Sequence, residues 1–297
     1  MEPQATAVAT DVLDAVAEGR YPLPHDVLGA HLNDGVVTIR SVHHLADSVE
    51  VLTQDHTYPA THEHGGVWVC VFAAEDIPDY RLRVTYGDHS QIVDDPYRFL
   101  PTVGEMDTYL ISEGRHERLW EVLGAHLMHF DGVMGPVDGV AFAVWAPNAQ
   151  AVRVVGDFNF WDGTGHAMRT MGASGVWELF IPGVSVGARY KFEIQGRSGN
   201  WFQKADPMAR ATEIPPATAS VVTDVFHTWN DEDWLRARED ANPHSGPMSI
   251  YEVHAGSWKQ DLGYRGLADE LIPYVKKMGF THVEFMPLAE HPFGGSW

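Results

Sequence analysis

The pentapeptide Leu28-Gly29-Ala30-His31-Leu32 recurs letter for letter as Leu123-Gly124-Ala125-His126-Leu127. Four more matched segments follow in the same order: residues 49–52 with 152–155, Val67-Trp68 with Val176-Trp177, residues 80–84 with 190–194, and Asp95-Pro96 with Asp206-Pro207. The offset between the copies grows from 95 to 111 residues along the chain, as expected if the second copy has longer loops. Five ordered matches indicate a duplicated structural module.

Both copies have the composition of β-strands. In the first copy, β-branched and aromatic residues are concentrated in short runs separated by turn residues, at 36–40, 48–53, 66–73 and 79–86. Short strands at even spacing are typical of a β-sandwich. We therefore predict a mainly β protein with two tandem immunoglobulin-like β-sandwiches, at 21–104 and 105–226. A short helix precedes them within residues 1–20, where Val8, Val12 and Val16 share one face and Gly19 ends the helix.

The end of the chain has a different pattern. Residues 248–253 and 282–286 are short apolar strands, and a helical apolar stripe lies between them, formed by Leu267, Leu271, Tyr274, Val275 and Met278. Pro273 should kink or divide this helix, and Gly279 should end it. Strand, helix and strand make a βαβ unit, but a (β/α)₈ barrel needs about 250 residues. We predict a linker at 227–248 and the first βαβ unit of a truncated barrel at 249–297.

Charge and cysteine content exclude several classes of protein. The chain has 41 acidic and 20 basic residues, for a formal net charge of −21, which disfavours a nucleic-acid-binding face. The single cysteine, Cys70, lies in an apolar run and precludes an intrachain disulfide, which fits a reducing cytosol. Neither a secretory signal nor a membrane-spanning apolar run is evident. We expect a cytoplasmic protein without nucleic-acid or membrane partners.

The second copy contains an aromatic turn that the first lacks. Its residues 156–163 read Gly-Asp-Phe-Asn-Phe-Trp-Asp-Gly, where the first copy has residues 54–59. Sugars stack their apolar C–H face on aromatic rings and hydrogen-bond through their hydroxyls. Asn159, Trp161 and Lys191 are suited to this role. The alternative is that Trp161 and Trp177 only pack the sandwich.

Four segments of the second copy resemble carbohydrate-binding module family 48, which accompanies enzymes acting on branched α-glucans. These segments are 142–149, 152–163, 175–179 and 190–194. They are also similar to the glycogen-binding module of the AMP-activated kinase β subunit. The resemblance implies that Trp161, Lys191 and Trp201 hold the glucan. The late loop of the kinase module binds through an Asn, whereas this chain has Ala217-Thr218-Ala219-Ser220-Val221 there.

The flanking segments resemble bacterial glycogen branching enzymes of glycoside hydrolase family 13. Residues 97–105, 110–116 and 119–126 look like the joint between their two N-terminal modules, and 251–258 with 290–297 look like the start of their barrel. This resemblance implies cutting of an α-1,4 glucan and transfer to a 6-hydroxyl, with retention by two carboxyl groups about 5 to 5.5 Å apart. In the family these groups lie on later barrel strands. We therefore assign no catalytic residue in this chain, expect the catalytic residues after Trp297, and expect the chain alone to be inactive.

Two other functions remain open, namely a non-catalytic glycogen-binding protein and a debranching or trehalose-releasing relative. Carboxylates and other polar or aromatic groups in the tail are interpreted as structural, and these are Glu284, Glu290, His291, His254 and Trp258. The histidine clusters at 43–44 and 62–64 lack the spacing of a zinc site, so we predict no metal and no cofactor. The expected partner is an α-glucan such as glycogen or amylose-like chains, and the expected state is a monomer.

Overall fold

The computed structural model describes residues 3–224, 227–242 and 245–288. The chain divides into two compact units, Met1–Val225 and Phe226–Trp297. The first unit is built from antiparallel sheets, which confirms the prediction of a mainly β protein. No helix among the described residues is both long and apolar enough to cross a bilayer.

The first module contains eight strands in two antiparallel sheets, ordered β1-β2-β6-β5 and β4-β3-β7-β8. Apolar residues alternate along these strands, so that Ile39 and Cys70 from one sheet meet Val51 and Leu82 from the other in one buried cluster. The strands are β1 (Gly29–Asn33), β2 (Val36–Val42), β3 (Ser48–Leu52), β4 (Thr57–Pro59), β5 (Thr61–His64), β6 (Val67–Ala73), β7 (Arg81–Tyr86) and β8 (His89–Val93).

The second module repeats most of this topology, but its described strands include no counterpart of β4. Its sheets are ordered β12-β13-β10-β9 and β11-β14-β15, with β16 also paired to β14, so corresponding strands occupy corresponding places. Phe142 and Leu179 of one sheet pack with Val154 and Phe192 of the other. The strands are β9 (Gly124–Phe130), β10 (Val137–Trp145), β11 (Ala151–Gly156), β12 (Arg169–Thr170), β13 (Val176–Pro182), β14 (Arg189–Gln195), β15 (Trp201–Lys204) and β16 (Ser220–Val221).

The repeated pentapeptide forms the same turn into the first strand of each module. Gly29 and Gly124 have φ of +81° and +105°, and a Cβ on Gly29 would lie 2.4 Å from the backbone oxygen of Tyr97. Glycine is therefore required at this point by conformation and by space. His126 Nε2 lies 2.9 Å from the Leu123 carbonyl oxygen, as His31 Nε2 lies 3.2 Å from that of Leu28.

Two helices flank the modules in the first unit. Helix α1 (Thr10–Ala17) buries Leu13 and Val16 in a cluster that joins Val42 and Val67 of the first module to the core of the second, and Gly19 beyond its end has φ +61°. Helix α2 (Glu105–Ser112) follows the first module and has no buried residue. Its Met106 and Tyr109 are exposed and its Leu110 and Ile111 are only partly buried, so it contributes little to the core. Short 3₁₀ turns occupy Pro24–Asp26, Pro96–Arg98, Leu119–Glu121 and Asp157–Asn159.

The second unit contains α3 (Glu232–Asp240), β17 (Ile250–Val253), α4 (Ala255–Trp258), α5 (Tyr264–Met278) and β18 (His282–Phe285). Strands β17 and β18 pair in parallel, with α5 between them in the chain, as the βαβ pattern predicts. The place of this unit in a barrel stays a prediction. Helix α3 lies inside the predicted linker and has no buried residue.

The sequence predicted that Pro273 would either kink or divide its helix, and the structure shows that α5 is not divided. Pro273 and Asp269 are both exposed. The Asp269 carbonyl lacks its usual helical hydrogen bond, because proline has no N–H to donate. Water can satisfy that carbonyl, so the helix continues until Gly279, which ends it with φ +81°. Glu290 and His291 lie outside the described residues.

Candidate functional site

Two of the predicted site residues, Lys191 and Trp201, lie on the outer face of the β11-β14-β15 sheet. On β14, Tyr190 and Phe192 point into the core, so Lys191 points outward with its alternate neighbours. Trp201 pairs with Gln195 across β14 and β15, and cross-strand partners project from the same face. Lys191 and Gln195 are separated along the strand by about 13 Å. The sheet therefore presents a lysine and a tryptophan in line along one surface.

The aromatic turn after β11 is held in an unusual conformation. Phe160 and Trp161 both have left-handed backbones, with φ of 54° and 63°. Each such residue costs of order 1–2 kcal/mol when it is not glycine. Hydrogen bonds from Trp161 N to the Gly156 oxygen and from Asp162 N to the Asn159 oxygen, both 3.0 Å, close the turn. The surrounding structure thus fixes both aromatic residues in place.

Asn159 is engaged within this turn. Its Oδ1 accepts a hydrogen bond from Gly156 N at 2.8 Å, and its Nδ2 donates to the Val154 oxygen at 2.9 Å. The same amide nitrogen lies 3.1 Å from His166 Nδ1. Burial lowers the pKa of His166 to about 4 and so keeps its ring neutral. The structure therefore gives Asn159 a turn-stabilising role, while its predicted sugar contact stays a prediction.

Asp157 connects the aromatic turn to β14. Its Oδ2 accepts hydrogen bonds from Arg189 Nε at 2.8 Å and from Arg189 N at 3.2 Å. The Arg189 side-chain hydrogen bond lowers the pKa of Asp157, and a hydrogen bond from the Trp161 side chain contributes to the same shift. Arg189 is two residues from Lys191 on the same face, so the structure brings Trp161 and Lys191 to one end of the sheet.

The late loop of the second module reaches the same end. Lys191 Nζ donates a 2.7 Å hydrogen bond to Thr218 Oγ1. Thr218 lies in the segment 217–221, which the resemblance to the kinase glycogen-binding module aligns with the late binding loop of that module. The sequence located this loop but did not single out the threonine, because the contact spans 27 residues and leaves no local pattern.

Arg153 holds Trp201 at the other end of the surface. Its guanidinium carbon lies 3.7 Å from the centroid of the Trp201 ring. Arg153 also donates to the backbone oxygens of Gly19 at 3.0 Å and Glu18 at 2.7 Å. Sequence reasoning missed this residue, although its outward place on β11 opposite Glu193 was readable from strand alternation.

The aromatic turn packs directly onto this sheet face at Gly163. A Cβ on Gly163 would lie 2.8 Å from Arg153 Cβ and 2.9 Å from Val155 Cγ1. Glycine is therefore needed for the turn to lie flat against the sheet. The close packing leaves Trp161 at one end of the surface and Trp201 at the other.

A sizeable cavity lies elsewhere, between loops of the two modules. It measures about 890 Å³ and is lined in part by Tyr80, Phe99 and Phe130. An extended sugar chain that stacks on exposed rings does not need an enclosed cavity, so we identify the site by its aromatic and polar groups.

Three of the other residues noted in the sequence have hydrogen-bond partners within their own unit. In the second unit, His254 Nδ1 lies 2.8 Å from Ser257 Oγ, and Trp258 Nε1 donates to Tyr251 Oη at 3.0 Å. In the first module, His64 Nε2 lies 2.6 Å from Asp14 Oδ1. Across the part of the chain that the structure describes, no group of three or more His, Cys, Asp or Glu residues is arranged to hold a metal ion.

Two family models match this chain in adjacent regions. Residues 9–97 match the model described as alpha-1,4-glucan branching enzyme GlgB, N-terminal domain. Residues 122–209 match carbohydrate-binding module 48, also described as the isoamylase N-terminal domain. The first match covers α1 and the first module, and the second covers most of the second module with Trp161, Lys191 and Trp201.

Curated relatives match nearly the whole chain. The 1,4-alpha-glucan branching enzyme GlgB of Thermobifida fusca is 54% identical over 99% of this chain and 40% of its own length. The protein of the same name from Leifsonia xyli subsp. xyli is 54% identical over 96% of this chain and 39% of its own length. The 1,4-alpha-glucan branching enzyme GlgB 1 of Streptomyces coelicolor is 52% identical over 99% of this chain and 38% of its own length. The chain thus spans about two fifths of these relatives, and its resemblance to the N-terminal portion of branching enzymes is confirmed.

Proposed function

We propose that this chain supplies the glucan-binding N-terminal modules of a 1,4-alpha-glucan branching enzyme. The observation that carries the proposal is the outer face of the β11-β14-β15 sheet, where Trp161, Lys191 and Trp201 lie along one surface. The similarity of nearly the whole chain to curated branching enzymes supports it. A cytoplasmic location is part of the proposal, and the single, buried Cys70 supports it.

Each site residue has a physical role in this proposal. Trp161 and Trp201 stack against the apolar faces of glucose units, and Lys191 donates a hydrogen bond to a sugar hydroxyl. Lys191 would exchange its Thr218 acceptor for the sugar, or share its three donor hydrogens between the two. Asn159 holds the turn that presents Trp161.

The first module serves as a spacer in this proposal. Its strand β4, in the segment that corresponds to the aromatic turn, contains Tyr58, whose ring stacks on Phe72 at 4.1 Å between centroids. This ring is used inside the module and is not presented to a sugar. We place the first sandwich at 21–104 and the second at 105–226, with the linker and the barrel start after them.

The reaction of the whole protein breaks one α-1,4 glycosidic bond and forms one α-1,6 bond to a 6-hydroxyl of an acceptor chain. A retaining transfer requires a nucleophilic carboxylate and a second carboxyl group that acts as acid and then base. We assign neither role to a residue of this chain. Its part in the reaction is to hold glucan near the catalytic centre, so the chain alone binds glucan without branching it.

Affinity electrophoresis tests this proposal. The chain should be retarded in gels that contain glycogen or amylose, and Trp161→Ala and Trp201→Ala should each weaken retardation. Trp120→Ala is the matched control, because Trp120 is 55% exposed and lies outside the proposed surface. Incubation with amylose should give no new α-1,6 linkages. Equal migration with and without glucan would reject the binding role. Branching by the chain alone would reject the proposal that the chain binds glucan without catalysing the transfer.

A second candidate is a non-catalytic glycogen-binding protein. The same surface favours it equally, because binding requires none of the catalytic carboxylates. A branching assay on the product of the complete gene separates the two candidates.

A further inference from the structure

Phe160 contradicts two rules of local structure. Its side chain is 94% exposed, although phenylalanine is normally buried. Its backbone is left-handed, with φ of 54°, which is unfavourable for a bulky side chain. Phe158, two residues earlier, is a contrast, because it packs against the core residue Phe142 at 5.9 Å between centroids.

The turn around Phe160 is tightly constrained. Asn159 bonds to the backbone on its N-terminal side, and Asp162 Oδ1 accepts hydrogen bonds from Thr164 N at 3.0 Å and Thr164 Oγ1 at 2.8 Å on the other. Asn or Gly would adopt the observed φ more easily. Neither core packing nor backbone preference therefore accounts for an aromatic residue at position 160. Residues that break local rules without a gain in stability are typical of functional sites.

Charges on the neighbouring surface are paired with each other. Arg189 pairs with Asp157 and Glu213, at 2.8 and 3.2 Å, and Arg153 lies 3.3 Å from Glu193. Such a surface offers exposed rings and hydrogen-bonding groups without an excess of either charge. This chemistry suits a neutral, polyhydroxylated ligand better than a charged partner.

We propose that Phe160 is a further glucan-contacting residue, which packs against the glucose unit next to the one stacked on Trp161 and favours longer α-1,4 chains. Adjacent Cα atoms are about 3.8 Å apart, so the two rings can serve neighbouring sugar units. The inference rests on the proposed glucan-binding function of the Trp161 surface. It adds a residue that sets chain-length preference.

Phe160→Asn tests this role, because it removes the ring and relieves the backbone. The melting temperature should stay unchanged or rise, since Asn tolerates the left-handed region. In calorimetric titrations, affinity for maltoheptaose should fall about fivefold, and affinity for maltotriose should fall less. Phe160→Tyr should keep the affinity of the original chain, and Trp120→Asn controls for loss of an exposed aromatic ring elsewhere.

The outcomes separate this inference from the proposed function. If Trp161→Ala loses binding while Phe160→Asn binds both oligosaccharides like the original chain, the Phe160 role is wrong and the glucan surface stands. If affinity falls equally for both oligosaccharides, the chain-length preference is wrong. If the unaltered chain binds neither oligosaccharide, the proposed function and this inference both fail.

Discussion

The Tyr80 hydroxyl donates a 2.6 Å hydrogen bond to Asp95 Oδ2, and both residues are buried. The second module repeats this relationship between Tyr190 and Asp206 at 2.5 Å. In each module the other carboxylate oxygen accepts a backbone N–H two residues later, from Tyr97 at 2.9 Å and from Met208 at 2.8 Å. The duplicated sequence thus encodes a duplicated buried polar connection as well as duplicated strands.

Removing one hydroxyl should destabilise its module. Tyr190→Phe leaves the buried Asp206 carboxyl without its phenolic donor, so the free energy of unfolding should fall by about 1–3 kcal/mol. Urea denaturation measures the change. Tyr109→Phe is the control, because Tyr109 is 56% exposed on α2. Equal stability of the two variants would show that the buried pair contributes nothing.

The Asp95 carboxyl should make stability fall as pH rises. Burial raises its pKa in the folded state to about 6, whereas an unfolded Asp titrates near 3.8. Between these values the folded state retains a proton that the unfolded state releases, so the contribution of Asp95 is fully present below about pH 4 and is lost by about pH 6. The stability advantage of the unaltered chain over Asp95→Asn should therefore shrink from pH 4 to 6. An advantage that grows over this interval would contradict the assignment.

His166 should make stability fall as pH decreases. Burial lowers its pKa in the folded state from 6.5 to about 4, with His43 adding to the shift and Asp162 opposing it. The unfolded state binds the proton first as pH falls, so the contribution of His166 is complete above pH 6.5 and is lost towards pH 4. His166→Gln should show a smaller loss of stability over this range in urea titrations. The same loss as in the unaltered chain would exclude His166 as a source of acid sensitivity.

Arg153 should act on glucan binding through Trp201. Arg153→Lys keeps the positive charge but removes the planar group that stacks on the indole and bonds to two backbone oxygens. Glucan affinity should fall about two- to fivefold. In a Trp201→Ala background the same substitution should have little further effect. Additive losses in the double variant would show that Arg153 acts independently of Trp201.

The sequence predicted the parts of this fold that depend on local pattern and on duplication. The strand runs, the glycine at the end of α1 and the parallel order of β17 and β18 all follow from periodicity and turn residues. Helices α2 and α3 were missed because neither buries an apolar face. Arg153 was missed because its partner Gly19 lies 134 residues away, a distance that no local pattern encodes. The internal role of Asn159 likewise depends on how its turn folds back on β11.

Resonances of the tryptophan indole N–H groups test the central claim most directly, because the chain has ten tryptophans and the claim concerns two. The indoles of Trp68, Trp145 and Trp177 already donate to backbone oxygens of the first unit. Titration with maltoheptaose should shift the resonances of Trp161 and Trp201 and leave those three in place. Shifts at the three internally bonded indoles, with Trp161 and Trp201 unmoved, would contradict a glucan surface on the outer face of the β11-β14-β15 sheet.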